Sequence, residues 1–411
     1  MKTPSTFAVS FAVLFSVATS QADWPRFHGP AGDGSAETAV PMQWGDDENI
    51  AWKAALPGVG ASSPVIVAGK LFLTASEGGA ADVKRHVLCF DAVTGKSLWD
   101  ITVESELPEQ DRIREEHGYA SSTPVATASR LFVFFGKSGV FAFDHSGKQL
   151  WNTKVGSKLH GWGSAASLTL HGPTVLVNAS VESQSLVALD GSSGKELWRT
   201  GGINDSWHAP VVGKAPDGRE EIILAMLNEV RGFDAKSGTE LWRCKTSIPW
   251  YMCPQPIVKD GVVYCVGGRT GNGGLAIRLG GNGDVTETHR LWVLNKGTNV
   301  PSPVLHGGHL YFVHEGRGTM NCVDLKTGEF VFAEDASQPG PVYASLLLVG
   351  GKIYSLGRGG KLRITEAAPK LNILGECTLE NGRGMFNASP VADSGRLYLR
   401  SNKWLYCIGA K

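Results

Sequence analysis

The residues best equipped for chemistry stand outside the regular pattern of the chain. Tyr119, Trp162, Trp207, Trp250, Tyr251, Tyr343 and Phe386 fall in short segments such as "LHGWGSAAS", "DSWHAPV" and "IPWYMCPQP" that lead into predicted strands. His117, His160 and His208 lie among them. A second set of loops, "GGRTGNGG", "HEGRGT", "GRGGK" and "RSNK", carries Arg269, Arg317, Arg358 and Arg400, with Arg383 close by. Flat π-faces beside guanidinium groups suit a planar or anionic ligand, held by stacking and bidentate bonding. The candidate ligand-binding set is Tyr119, Trp162, Trp207, His208, Trp250, Tyr251, Arg269, Arg317, Arg358 and Arg383. The bland alternative is that the aromatics plug and pack while the arginines are solvated. No catalytic residue is assigned, because no Ser-His-Asp or Cys-His set stands at a readable spacing. No metal site is assigned either, since a zinc site needs ligands that converge within bonding distance. "GGRTGNGG" lacks the strand–turn–helix context of a phosphate loop and reads as a plain loop.

A repeated unit must position these residues. "LCFDAVTGKSLW", "FAFDHSGKQLW", "LVALDGSSGKELW", "RGFDAKSGTELW" and "NCVDLKTGEFVF" are copies of one sentence. Each copy has a small-polar lead-in, an apolar strand, a second strand, a third ending on Asp, and a fourth ending near Trp. The lead-in recurs eight times, near Pro64, Pro124, Ser167, Pro210, Pro256, Pro303, Leu346 and Pro390. The closing aromatics step by 40 residues (Trp292 to Phe332) to 52 residues (Trp99 to Trp151). Four short period-two strands per copy at this spacing describe a blade, and blades close radially into a propeller. The expected fold is all-β, an eight-bladed propeller of four-stranded antiparallel blades. The C-terminal copy lacks a Trp-bearing fourth strand, and residues 50–56, with Trp52, supply it to residues 385–411. That pairing hides two sheet edges that would otherwise invite aggregation. The repeated Asp and Gly are read as turn-formers and the Trp as cover for the gap between blades. "EQDRIREEHG" is the best helical segment and "ESELPEQDRIREE" a surface insertion. "GDVTETH" reads as an extended hairpin on the face opposite the rim.

Lys2, an apolar run from Phe7 to Ala18 and "SQA" before Asp23 predict a secretory signal peptide over 1–22. Residues 23–411 then form one domain, exported to a periplasm, cell surface or medium. The chain holds 39 Lys and Arg against 39 Asp and Glu, a balance that gives no electrostatic reason to expect nucleic acid. No later run is apolar enough to cross a membrane, and a monomer is expected. Of the seven cysteines, Cys89, Cys322 and Cys407 share a repeat slot that Ala142, Ala188 and Gly232 also fill, so they read as packing residues. Cys244, Cys253, Cys265 and Cys377 stay open, with a Cys244–Cys253 pair one possibility.

The "LDGSSGKELW" copies resemble the pyrroloquinoline-quinone-like (PQQ-like) propeller repeat shared by quinoprotein dehydrogenases and BamB-type envelope scaffolds. "DWPRFHGPAGDGSA" and "GGNGDVTETHRLW" look like a group of exported proteins abundant in planctomycetes. The enzymatic branch implies the quinone, Ca²⁺ held by Glu and Asn beside a catalytic Asp, and a vicinal Cys-Cys pair. No "CC" occurs here, and the metal-and-base set maps to no positions. BamB-type scaffolds carry a lipidated Cys that is absent after this leader. The expected function is therefore a non-catalytic binding or scaffold protein, its rim taking a partner protein or small ligand. The alternative is a quinone-dependent alcohol or sugar dehydrogenase, with PQQ and Ca²⁺ as its cofactors.

Overall fold

The computed structural model describes residues 23–111, 118–268, 273–316, 318–334, 339–380, 382 and 384–410. Among them the strands form eight sheets arranged as the blades of a propeller. Blade 1 is Val65–Val67, Lys70–Glu77, Lys84–Asp91 and Ser97–Val103, joined in that order from the channel outward. Blades 2 to 7 follow at 125–153, 169–201, 211–245, 257–294, 304–334 and 347–378. Blade 8 is Val391–Asp393, Arg396–Arg400 and Trp404–Ile408, completed by Ile50–Ala55 from the start of the chain. That last strand pairs antiparallel with Trp404–Ile408, so ring closure lies between distant parts of the sequence. The predicted helix falls partly on 112–117, outside the described residues. All seven cysteines are free, so Cys244 and Cys253 do not pair. Cys89, Cys322 and Cys407 are fully buried, as the small-residue slot requires.

The repeated turn acts twice. Its Asp collects backbone N–H groups: Val93 and Thr94 donate to Asp91 Oδ1 at 3.1 and 2.7 Å, and Ser192 and Ser193 to Asp190 Oδ1 at 3.1 and 2.8 Å. Those bonds, with the Ser hydroxyls leading, pull the Asp190 carboxyl down to about 2. Its Gly takes positive φ and lies under the indole of the preceding blade. A Cβ on Gly95 would come within 2.4 Å of Trp52, on Gly194 within 2.7 Å of Trp151, and on Gly328 within 2.6 Å of Trp292. The same indoles bond the carbonyl just after the turn Asp. Trp52 Nε1 donates to Ala92 O at 3.2 Å, Trp99 to His145 O at 3.2 Å, Trp151 to Gly191 O at 3.3 Å and Trp292 to Leu325 O at 2.9 Å. At the seams entering blades 1, 2, 3 and 6, one ring thus lies over one glycine with one hydrogen bond.

The seam from blade 4 to blade 5 differs, because the fifth copy lacks the Asp-to-Gly turn. Trp242 turns into its own blade, fully buried, and donates to the buried Glu221 at 2.7 Å. The "GDVTETH" segment takes over the seam: Gly283–Asp284 adds a parallel fifth strand to the outer edge of blade 4. The predicted hairpin is therefore an internal tie across the seam.

Two devices close the inner ring. At six blades the residue two positions before the innermost strand lends a hydroxyl to the blade before it. The Ser63 N–H donates to Thr123 Oγ1 at 2.9 Å and Thr123 to Ser167 Oγ at 3.0 Å. Gln255 donates to Ser302, Ser302 to Ser345, Ser345 to Ser389 and Ser389 to Ser63, at 3.0, 3.1, 3.0 and 3.0 Å. The girdle is interrupted at blades 4 and 5, where Ala209 and Gln255 have no hydroxyl. The second device is the N-terminal segment, which crosses the channel. Trp24 pairs with Ile66 of blade 1, and the Pro25 carbonyl accepts from Ala126 of blade 2. Gly32 accepts from Gln255 Nε2 of blade 5 at 3.0 Å, and Ser35–Ala36 runs parallel to Leu347–Val349 of blade 7. His28 is buried in this segment, and desolvation lowers its imidazole to about 4.

Two stability predictions follow from these contacts. Replacing Gly95 by Val should cost roughly 3 kcal/mol, since it adds both a forbidden φ and a clash with Trp52. Urea melts against Leu98→Ser, an exposed change in the same blade, check it, and equal midpoints would count against the seam. Asp393 is buried, and desolvation, opposed by Ser394, raises its carboxyl to about 6. A raised carboxyl gives stability that is complete below its unfolded value near 4 and is lost as pH rises through about 6. Asp393→Asn should flatten that limb and raise the melting temperature at neutral pH, read by calorimetry across this window.

Candidate functional site

The blade lead-ins surround the mouth of the channel, and the N-terminal segment floors it. Between them lies a well of about 1040 Å³, open solvent at its mouth included. Phe27 forms its floor. Trp162, Trp207, Tyr251 and Tyr343 contribute its aromatic wall, and Ser63, Thr123, Ser167, Ser345 and Ser389 of the girdle line it lower down. Cys253, Asn299 and Asn387 complete its polar surface. None of the described lining residues is Asp, Glu, Lys or Arg.

The wall is rigid because each ring is held by another. Trp207 and Tyr251 meet edge to face with centroids 5.3 Å apart, and Trp162 and Tyr251 lie 5.7 Å apart. The Trp207 indole donates to Gly163 O at 2.9 Å, which ties blade 4's lead-in to that of blade 3. Asn299 Nδ2 donates to the Tyr251 hydroxyl at 2.9 Å, and buried Glu315 accepts from the Asn299 N–H at 3.0 Å. Asn299 itself is 1 % exposed, and its Oδ1 has no hydrogen-bond partner. A buried unpaired carbonyl costs about 1–3 kcal/mol, so this atom is poised to accept a bond from a guest.

The sequence-predicted candidates divide into groups. Trp162, Trp207, His208 and Tyr251 meet in the well. His208 is fully engaged there: Ala225 N–H donates to Nε2 at 3.0 Å, so Nδ1 carries the proton and donates to Ala209 O at 2.7 Å. Burial lowers its basicity, so a neutral ring with both nitrogens occupied serves as wall. Trp250 sits outside, 38 % exposed, against Tyr251. Arg358 stacks on Tyr343, its Cζ 4.3 Å from the ring centroid, and its Nε donates to Asn387 Oδ1 at 3.1 Å. It backs the wall without lining the well. Arg269, Arg317 and Arg383, like His117, lie outside the described residues.

Two expectations for the rim are corrected. Arg400 is fully buried and donates to Ser62 O at 2.6 Å and Thr74 O at 2.7 Å, clamping blade 8 to blade 1. Burial lowers its guanidinium to about 9. Phe386 is also fully buried, packed against Tyr406. Tyr119 lies in a separate cleft of about 430 Å³ with Arg85, Glu109, His160 and Glu182, its hydroxyl donating to Gln110 O at 2.8 Å. The buried Arg85–Glu109 ion pair forms part of that cleft's lining. The metal reading of the histidines gains nothing, because no cluster of metal-ligating side chains occurs among the described residues. Phe27 and Asn299 were not singled out from the sequence, and Cys253 only as a possible disulfide partner. Their only sequence signal is proximity to a lead-in or to the leader.

The family profile described as outer membrane protein assembly factor BamB matches residues 43–214 and 84–334. The chain belongs to the PQQ-like β-propeller family. No curated protein matches the sequence. Among solved structures, BamB from Moraxella catarrhalis is similar with a TM-score of 0.63 at 16 % identity, covering 88 % of this chain and 97 % of that one. The quinohemoprotein alcohol dehydrogenase from Comamonas testosteroni gives 0.67 at 12 %, covering 95 % and 81 %. A europium-containing methanol dehydrogenase gives 0.69 at 11 %, covering 95 % and 98 %. At such identities the likeness shows the fold, and this PQQ-like propeller must be read from its own well.

Cys253 contributes a thiol to that well. Burial raises it to about 12, with Glu315 adding to the effect. It should therefore resist iodoacetamide in the native protein at about pH 8 and react readily once unfolded. Mass spectrometry of the alkylated peptide reads the outcome, and rapid native labelling would contradict the neutral thiol.

Proposed function

We propose that this chain is an exported, non-catalytic PQQ-like propeller that binds a small uncharged ligand in the well at its channel mouth. The observation that carries the reading is the composition of that well: several aromatic faces, amides and hydroxyls, with no Asp, Glu, Lys or Arg among its described lining residues. The quinone of the dehydrogenase branch is a planar polycarboxylate, and its Ca²⁺ requires carboxylate ligands. Here the described residues offer aromatic planes for the ring system but no cation for its carboxylates and no carboxylate for the metal. The residues do not fit that group, and no oxidation is derived through it. Binding of an anionic guest would place charge in a water-poor site without a partner, which is costly.

Export rests on the leader over residues 1–22 and agrees with the envelope protein named in the matching family description. Cleavage after Ala22 leaves Asp23 first, and N-terminal sequencing of protein recovered from the periplasm or medium checks this. The binding reading is tested by adding PQQ with Ca²⁺ to purified protein. No shift in cofactor absorbance, no rise in melting temperature and no dye reduction with alcohols or sugars are expected. Stoichiometric loading with turnover would replace this reading with the dehydrogenase one.

A further inference from the structure

The chemistry of the well narrows the ligand class, given that the well is a binding site as proposed above. Its aromatic side presents Trp162 and Tyr251, and Tyr343 opposite is fixed by the guanidinium behind it. Such faces take flat apolar surface, whether an aromatic ring or the C–H face of a sugar ring. The polar groups separate these two guests. Asn299 Oδ1 is a buried acceptor without a partner, so the guest must bring a donor to it. The girdle hydroxyls are the converse. Thr123 and Ser345 each accept a backbone N–H from the neighbouring blade and keep their own proton to donate. The lining therefore asks for donors at one place and acceptors at several others. Hydroxyl groups are both. A planar aromatic would satisfy the rings and leave most of these polar atoms unmatched, at a cost for each. A carboxylated sugar would bring a charge that no described lining residue neutralises.

We infer that the well binds a neutral saccharide, one pyranose ring stacked on the aromatic wall with a hydroxyl donating to Asn299 Oδ1 and others accepting from the girdle. Tyr251 has a double role: it offers its ring to the sugar and uses its hydroxyl to orient the Asn299 amide. Glu315, accepting from the Asn299 N–H, is a positioning residue that never touches the guest.

The test is titration of purified full-length mature protein with D-glucose, D-galactose, N-acetylglucosamine and cellobiose. D-galacturonate and indole serve as charged and aromatic comparators. Tryptophan fluorescence reads binding, because Trp162 and Trp207 line the well, and calorimetry confirms it. At least one neutral sugar should saturate at or below the millimolar range, with galacturonate weaker by roughly tenfold or more. Asn299→Ala should lower the sugar affinity by about tenfold, because the guest loses its buried acceptor. Should that variant unfold, Tyr251→Phe keeps the stacking face, frees the amide to rotate and should weaken binding by about threefold to tenfold. If indole binds and no sugar does, the saccharide assignment is overturned while the well remains a ligand site. Equal binding of galacturonate overturns it as well. If no probe perturbs the fluorescence, both the saccharide and the small-ligand reading fall, and the face is left to a protein partner.

Discussion

A ring of sheets persists only if every blade is joined to the next, and here the recurring joint is an indole laid over a glycine. The geometry is demanding on both sides. The glycine must take positive φ to close its own turn and must also lack a Cβ, because the neighbouring Trp occupies that space. The hydrogen bond from the indole to the following carbonyl then fixes the ring's rotation. One residue pair thereby serves the hairpin of one blade and the packing of another. At the seam between blades 4 and 5, one of those without the pair, the chain adds a strand instead, and the indole left over is buried against Glu221.

With the outer seams set, the inner ring is free to be specialised. The girdle hydroxyls illustrate how one atom meets two needs. Each oxygen accepts an N–H that would otherwise point at a neighbouring blade, and each keeps a donor directed by that bond. The N-terminal segment turns a channel into a well by crossing between blades 1, 2, 5 and 7. Its own groups are largely spent on this: Trp24 makes a bridge with the innermost strand of blade 1, and Gly32 accepts from Gln255. The floor it leaves is an apolar ring, Phe27, at the bottom of an aromatic wall.

The shared scaffold explains why an envelope scaffold and a set of alcohol dehydrogenases resemble this chain about equally at the level of the backbone. Seams and girdle belong to the fold, and they say nothing of what the well holds. The charge content of the well does. Arg400 shows how a residue type can mislead here: a guanidinium in a loop beside the channel reads as a ligand clamp, yet its bonds to Ser62 and Thr74 spend it on closing the ring. Arg358, stacked on Tyr343, does its work one layer behind the surface.

What the sequence determined by itself was whatever repeats. Strand spacing, the Asp-to-Gly turn, the Trp that follows it and the missing fourth strand of the last copy are local patterns written several times, and together they require eight blades closed by residues near the start. The aromatic side of the site was legible for a related reason, since Trp162, Trp207 and Tyr251 sit at the same place in successive copies. Only the tertiary structure decided the rest. Whether a side chain lines the well or packs behind it depends on which neighbour it meets, and those neighbours are tens to hundreds of residues away. Gln255 reaches Gly32 across 223 residues, and Arg400 reaches Ser62 across 338. The orphaned oxygen of Asn299 is of the same kind. It exists because the side-chain amide spends its Nδ2 on Tyr251 while the backbone N–H of the same residue is held by Glu315, and no spacing along the chain records that.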